Sequence, residues 1–415
     1  MSEALETPDA SPSLDGLRAD LERELTHGIL PYWMTRATDD ARGGFVGLID
    51  AEEVAHADAP RGAILNARIL WTFAAAHRVL GGAAYLATAE RALAYLRAHF
   101  VDAEHGGVYW MVEADGAPRD TRKHVYAQAF HVYALSEHAR ATGSEASRRE
   151  AIALFELIER HAHDDVNDGY EEAFSREWVA LDDVRLGATD ANERRSMNTH
   201  LHLLEAYTNL YRVWPDESLR ARLAELLRLF VDRIAAGGHL RLFFDPTWAP
   251  RSGVVSYGHD IEASWLLLEA ADVLGDELLR RRVRTTSLAL AESSLGEAVD
   301  ARHGGLFYEQ TPGDPVVTDK EWWPQAEAIV GFVAAYEETG RDAYLRAAAG
   351  AWAFTRRHIV DTEHGEWRRR TSRDGAPRPG HEKVGPWKCP YHNARACLEV
   401  IERAERAHSA PNAPR

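Results

Sequence analysis

The chain has 415 residues, 27% of them charged and 45% hydrophobic, with a net charge of −17. That charge disfavours nucleic-acid phosphates and anionic membrane surfaces as partners, and no run of sequence nears the roughly 18 apolar residues of a spanning helix. Two cysteines, Cys389 and Cys397, are too few for a disulfide framework or a CxxC zinc site. The opening stretch, MSEALETPDASPSLDG, is acidic and polar. It has neither the basic nor the apolar region of a secretory leader, so a reducing cytoplasm is the expected compartment.

After residues 1–13, expected to be a disordered tail, the first landmark is RGGFVGLID at Gly44. A glycine followed by aromatic or apolar residues returns in HGGVYWMVE at Gly107, DGYEEAF at Gly169, GGHLRLFFD at Gly238, HGGLFYEQ at Gly305 and HGEWRRR at Gly365. These read as tight turns entering short strands. Between them, apolar spacing near 3.6 predicts helix pairs over 64–80 and 84–100, 126–141 and 147–161, 197–213 and 218–236, 261–274 and 277–295, and 326–339 and 342–358. A last helix is predicted over 394–406, and 407–415 is a second expected tail. Two helices and a hairpin cannot bury an apolar face alone, so six such units must stack. The predicted fold is an all-α (α/α)6 barrel with short β-hairpin connections, spanning 14–406 as one domain.

Each hairpin is followed, 17 to 29 residues later, by unusual residues opening a helix. In order they are Asn66 and Arg68; Tyr126 and Gln128; Asn198 and His202; His259 and Glu262; Trp322, Trp323, Gln325 and Glu327; then Trp387, His392 and Asn393. Pro324 and Pro390 stand where a first helical position is expected. Six converging helix starts would line one concave site. His259 and Glu262, three apart, share a helix face, and a carboxylate there would favour a charged imidazole. Asn198, His202, Glu205 and Asn209 share another face. His200 points about 200° away from Asn198's face. Twelve Trp and twenty His are many for this length, and indole faces stack on sugar rings. The chain has 44 Arg but only four Lys, and Lys123, Lys320, Lys383 and Lys388 each lie beside one of these motifs. HExxH, P-loop, GxGxxG and GxSxG patterns do not occur. His161 with His163, and His200 with His202, find no third and fourth ligand by spacing, so no metal is expected.

The stretches ILNARILWTFAAAHR, YAQAFHVYALSEHARATG, SMNTHLHLLEAYTNLYRVW, YGHDIEASWLLLEAA, KEWWPQAEAIVGF and KVGPWKCPYHNARACLEVIER resemble the N-acylglucosamine 2-epimerase superfamily, most closely its cellobiose 2-epimerases. The resemblance implies an isomerase with no cofactor that epimerises C2 of a reducing-end aldose through a cis-enediol. It implies a small sugar as partner and a monomer or weak homodimer. It matches His259 and His392 to the acid/base pair, with Glu262 the carboxylate partner of the first and Glu327 of the second. It matches His202, with Arg68, Tyr126 and Asn198, to polar residues around the sugar, and Trp322, Trp323 and Trp387 to stacking residues. His202 rather than His200 is expected in the site. Mannose 2-epimerase or mannose (aldose–ketose) isomerase activity is the nearest alternative. An (α/α)6 glycoside hydrolase or a non-catalytic sugar-binding scaffold is more distant.

Overall fold

The computed structural model describes residues 12–187 and 190–409. Its helices are α1 (Leu14–Glu24), α2 (Leu30–Thr35), α3 (Ala63–Leu80), α4 (Ala83–His99), α5 (Val125–Thr142), α6 (Glu145–Ala162), α7 (Met197–Val213), α8 (Glu217–Leu229), α9 (Tyr257–Leu274), α10 (Glu277–Ser293), α11 (Trp322–Thr339), α12 (Asp342–Phe354) and α13 (Tyr391–Ser409). Two kinds alternate. In α3 every residue from Ala63 to Ala76 is buried, and in α5 every residue from Val125 to Ala139. Such helices are buried all round and must lie between two layers. In α6 the buried positions are Ser147, Ala151, Leu154, Phe155, Ile158 and Ala162, a single stripe at helical spacing. That helix covers the core with one face only.

The fully buried helices form a closed ring. Helix α3 packs on α5, α5 on α7, α7 on α9, α9 on α11, α11 on α13, and α13 back on α3. Each of the first five packs on the outer helix that follows it, and α13 packs on α1. The molecule is therefore an (α/α)6 barrel, and its sixth outer element is the segment formed by α1 and α2. That segment carried no landmark of its own in the sequence. The predicted outer helices to 236, 295 and 358 end instead in widened π turns at Phe230–Ile234, Ser294–Ala298 and Thr355–Ile359. At the ends of the chain, Ser13 caps α1 by accepting from the Gly16 amide, and α13 runs to Ser409. The tails expected at 1–13 and 407–415 are thus shorter on the described side, and 1–11 and 410–415 lie outside the described residues.

Short strands stitch the repeats into a crown at one end of the barrel. Arg61–Gly62, just before α3, pairs with Met111–Val112 of the next hairpin. The same step recurs before α5, α7, α9 and α11, and an Ile49–Val384 bridge closes the circle. Gly107 and Gly169 sit at the hairpin turns with φ of +71° and +81°. A Cβ at Gly107 would meet Trp178 at 2.7 Å, and one at Gly169 would meet Trp248 at 2.4 Å. Only glycine suits both the left-handed backbone and the space.

The four lysines belong to this crown. Lys123 bonds Asp102 at 2.9 Å, Lys320 bonds Asp300 at 3.2 Å and Lys383 bonds Asp361 at 2.9 Å. Each aspartate also accepts backbone amides of its own turn, as Asp102 does from Glu104 and His105. Arg61 with Asp39 and Arg195 with Asp164 repeat the device. Lys388 is buried against Glu366 at 2.6 Å. The placement of lysine beside the motifs therefore reflects buried pins that hold the hairpins over the helix starts.

Candidate active site

The six inner helices all begin at the crown, and a cavity of about 320 Å3 opens among their first turns. Helix N-termini carry partial positive charge and unpaired amides, so this end of the barrel favours a developing anion. Ten of the eleven residues that the family resemblance matches to site roles line the cavity: Arg68, Tyr126, Asn198, His202, His259, Glu262, Trp322, Trp323, Trp387 and His392. The eleventh, Glu327, stands behind His392. Leu186, Gly187, Asp190, Tyr308, Glu321, Arg369 and Arg370 complete the wall from the loops and short strands of the crown.

Helices α9, α11 and α13 start three or four residues earlier than the spacing predicted. Pro324 is consequently the third residue of α11, where its missing N–H costs nothing, and Pro390 directly precedes α13. His259, Trp322, Trp323 and His392 thus lie inside first turns. Position within the turn decides which way each side chain goes. Gln128 donates to and accepts from Val108 at 2.9 and 2.8 Å, and Gln325 does the same with Leu306. His200 Nε2 accepts from the Tyr170 amide at 2.9 Å. Asn66 donates to the Gly62 carbonyl and Asn393 to Glu366. These five grip the crown, and His202, two residues past His200, turns to the cavity.

His259 and His392 are held differently. His392 Nδ1 lies 2.7 Å from Glu327 Oε1. With a carboxylate there, Nδ1 carries the proton, and Nε2 is left with its lone pair toward the cavity. His259 Nδ1 lies 2.7 Å from Ser256 Oγ, a hydroxyl that can donate or accept. Either tautomer of His259 is therefore satisfied. The expected partnership of His259 with Glu262 is not formed, and this is a correction. Although the two share a helix face, Glu262 Oε1 turns to the buried guanidinium of Arg395 at 2.6 Å. A buried cation outcompetes a neutral ring for a carboxylate. The rings of His259 and His392 stand 4.7 and 5.6 Å from that of Trp323, which lies between them in the wall. His202 Nδ1 bonds Glu205 at 2.9 Å, and its ring packs on Tyr126 and Phe130.

Burial drives the three histidines toward the neutral form. His259 is pushed down to about 3, with the neighbouring His202 adding to the effect. His392 lies well below its ordinary value, through burial first and then the charges of Arg68 and Arg395. His202 is lowered as well, although Glu205 opposes the shift. Glu262 and Glu327 are both raised, because burial outweighs the Arg395 charge. Glu205 is held down to about 2, since Arg395 and His202 overcome its burial. The site is a set of desolvated imidazoles, and Arg395 holds the carboxylates that face two of them.

Five buried polar atoms of the wall, Arg68 Nε, Asn198 Oδ1, Glu321 Oε2, Trp322 Nε1 and Arg369 Nε, have no hydrogen-bond partner in the protein. Donors and acceptors of mixed type beside indoles suit a ligand rich in hydroxyls. Glu262, Glu327 and His392 bring three possible ligand atoms within 4.8 Å of one another. The Arg395 guanidinium already bonds both of those carboxylates, so a metal cation placed there would meet its charge. Arg395, Tyr391 and Ser256 are the residues that reading the sequence missed. Arg395 had one signal, its place three residues after His392 on one helix face. The loop residues carry no periodicity by which to find them.

The profile of the N-acylglucosamine 2-epimerase (GlcNAc 2-epimerase) family matches residues 43–396. The chain is 47% identical to a cellobiose 2-epimerase of Bacteroides fragilis over 93% of its own length and 98% of that protein. It is 38% identical to a cellobiose 2-epimerase of Ruminococcus albus over the same shares of each chain. Among solved structures, a cellobiose 2-epimerase from Bacillus thermoamylovorans B4167 superposes with a TM-score of 0.90 at 41% identity, covering 94% of this chain and all of the other.

Proposed function

The chain belongs to the N-acylglucosamine 2-epimerase family, and from that premise we propose that it is a carbohydrate 2-epimerase. Its substrates are β-1,4-linked disaccharides such as cellobiose and lactose, whose reducing-end glucose it interconverts with mannose. The observation that carries this reading is a pair of buried histidines, His259 from α9 and His392 from α13, that both line the cavity, each with Nδ1 engaged behind. The disaccharide preference rests on the relatives named above, whose names specify cellobiose. The cytoplasm suits the two buried thiols of Cys389 and Cys397.

Epimerisation at C2 requires an open-chain aldose, loss of the C2 proton, and return of a proton to the opposite face. The intermediate is a cis-enediolate. One imidazole accepts the C2 proton and becomes imidazolium. The enediolate's negative charge favours uptake of a solvent proton by the other imidazole, which delivers it to the opposite face. The first ring then returns its proton to solvent, and in the reverse direction the two exchange roles. His392 has its proton fixed on Nδ1, so it is poised as a base. His259, free in its tautomer, serves as acid or base. Negative charge on O1 and O2 meets Arg68 and the helix N-termini. No hydride moves and no phosphate is cradled, so this chemistry calls for no nicotinamide or nucleotide. A glycoside hydrolase would need a free carboxylate pair. Here Glu205, Glu262 and Glu327 are all bound to Arg395 and Glu321 is bound to Arg370, so among the described residues Asp190 is left as a single wall carboxylate rather than a pair.

The reading is tested by proton NMR in heavy water with cellobiose, lactose and mannose separately. Growth of a mannose-type anomeric signal from cellobiose, with deuterium entering C2, is the expected result. Conversion of mannose alone, with both disaccharides untouched, would favour the monosaccharide alternative.

The pH profile adds a second expectation. With His259 at about 3 and His392 well below its usual value, neither ring of the free enzyme takes up a solvent proton in mild acid. The acid limb of kcat/KM reports the free enzyme's base. It should fall well below the ordinary histidine value of about 6.5, leaving kcat/KM at pH 5.5 within about twofold of its value at pH 7.5. A limb centred at the ordinary value would mean that the working base is not a desolvated histidine.

A further inference from the structure

Arg395 does not line the cavity, yet it reaches three carboxylates of the site at once. Its side chain is 1% exposed. One terminal nitrogen bonds Glu205 and the Tyr391 hydroxyl, and the other bonds Glu262 and Glu327, both at 2.6 Å. The guanidinium plane is clasped between the rings of Tyr391 and Trp265, at 4.3 and 4.8 Å from their centroids. Two of its carboxylates are the Nδ1 partners of histidines, Glu205 for His202 and Glu327 for His392. Glu205 comes from α7, Glu262 from α9 and Glu327 from α11. One cation on α13 therefore ties the walls of the barrel together directly beneath the reacting atoms.

We propose that Arg395 is a positioning residue for proton transfer: by holding Glu205 and Glu327 on one rigid fork, it fixes the protons of His202 and His392 on Nδ1 and turns both Nε2 atoms to the sugar. The inference rests on the epimerase reading for its kinetic consequences, but not for its structural one. His259, whose Nδ1 faces Ser256, lies outside the network. The site thus has two histidines of fixed tautomer and one that is free. A lysine cannot replace the fork, because an ammonium is a single point and the four acceptors surround two nitrogens. The groups facing His392 are Arg68 from α3, His202 and Glu205 from α7, Glu262 from α9, Glu327 from α11 and Arg395 beside it. Loss of the Arg395 charge removes one of the two cations that oppose protonation of His392.

The test uses the full chain with 15N-labelled histidine and the variants Arg395→Lys and Arg395→Gln. His202 and His392 are assigned by their loss in His202→Gln and His392→Gln. In the parent protein both rings should show the Nδ1–H tautomer in long-range 15N–1H spectra, and His259 should not share a fixed form with them. R395K should lose kcat by about 10–100-fold with KM within about threefold, and keep its acid limb. R395Q should lose as much and raise the acid limb, and in both variants the Nδ1–H signature of His202 and His392 should weaken. Glu205→Gln provides the check should the arginine variants not fold, and it should disturb His202 while leaving the His392 tautomer in place. Parent-like turnover and tautomers in R395K, or Nε2–H forms of His202 and His392 in the parent, would overturn the proposal. Absence of epimerisation in the parent protein would count against the epimerase reading alone, since the tautomers are read without substrate.

Discussion

Replacing His392 or His259 by Asn should lower kcat for C2 epimerisation by at least about 10²–10⁴-fold, the usual contribution of a positioned acid or base, while sugar binding and fold persist. The two rings approach one cavity from α9 and α13, with Trp323 between them. Neither group can complete the reaction alone, because one proton must leave one face and another arrive on the opposite face. The double variant should therefore be scarcely slower than either single one. A single variant should still exchange one C2 proton with deuterium in heavy water. The variant that labels cellobiose without epimerising it keeps the base for the glucose face, and the other should label only the mannose epimer. Deuterium and epimer are read in the same NMR spectrum. Near-normal turnover in either single variant would end the two-base mechanism and leave that histidine a packing residue.

Arg68→Met should cost about 10²–10³ in kcat, equivalent to about 2.7–4 kcal/mol, with a smaller effect on KM. Arg68 is 2% exposed, donates to the Tyr126 hydroxyl at 2.8 Å and lies over the rings of Phe130 and Tyr391 at 4.2 and 4.6 Å. Among the described residues no carboxylate lies within ion-pair distance of it. A buried cation without a counter-ion is expensive to keep. The expense is explained if the missing partner is the enediolate, present only during turnover. Met keeps the apolar stem and discards the charge, so the variant should melt no lower than the parent. Thermal unfolding and steady-state kinetics on one preparation decide the matter. A lower melting temperature with unchanged kcat would make Arg68 a structural residue.

Much of this architecture was legible because its signals are local. Glycine before aromatic residues, repeated six times, marks the hairpins, since at Gly107 and Gly169 the left-handed backbone and the indole packed against it together leave room only for glycine. Apolar periodicity marks the buried helices, although it blurs at their first turns. There the polar residues serve the cavity or the crown, and α9, α11 and α13 were placed three or four residues late. The site residues were found because one helix face repeats the same kind of chemistry. Partnership was less legible. His259 and Glu262 are neighbours by spacing, yet Glu262 answers to Arg395, 133 residues away. The sixth outer helix pair could not be seen as such, because its partner is the last helix rather than the next one.

That last pairing has a consequence for how the chain is made. The seam is buried and specific: the Trp33 indole donates to Glu366, and the Trp367 indole to Glu24, across separations of 333 and 343 residues. On a ribosome adding about 5–20 residues each second, α1 and α2 would wait on the order of tens of seconds for their counterpart to emerge. Until then their apolar stripe, with Leu17, Leu21, Leu25, Ile29 and Trp33, has no native surface to cover. The growing protein is an open arc with two sticky ends, and its vulnerability to self-association belongs to translation rather than to the finished ring.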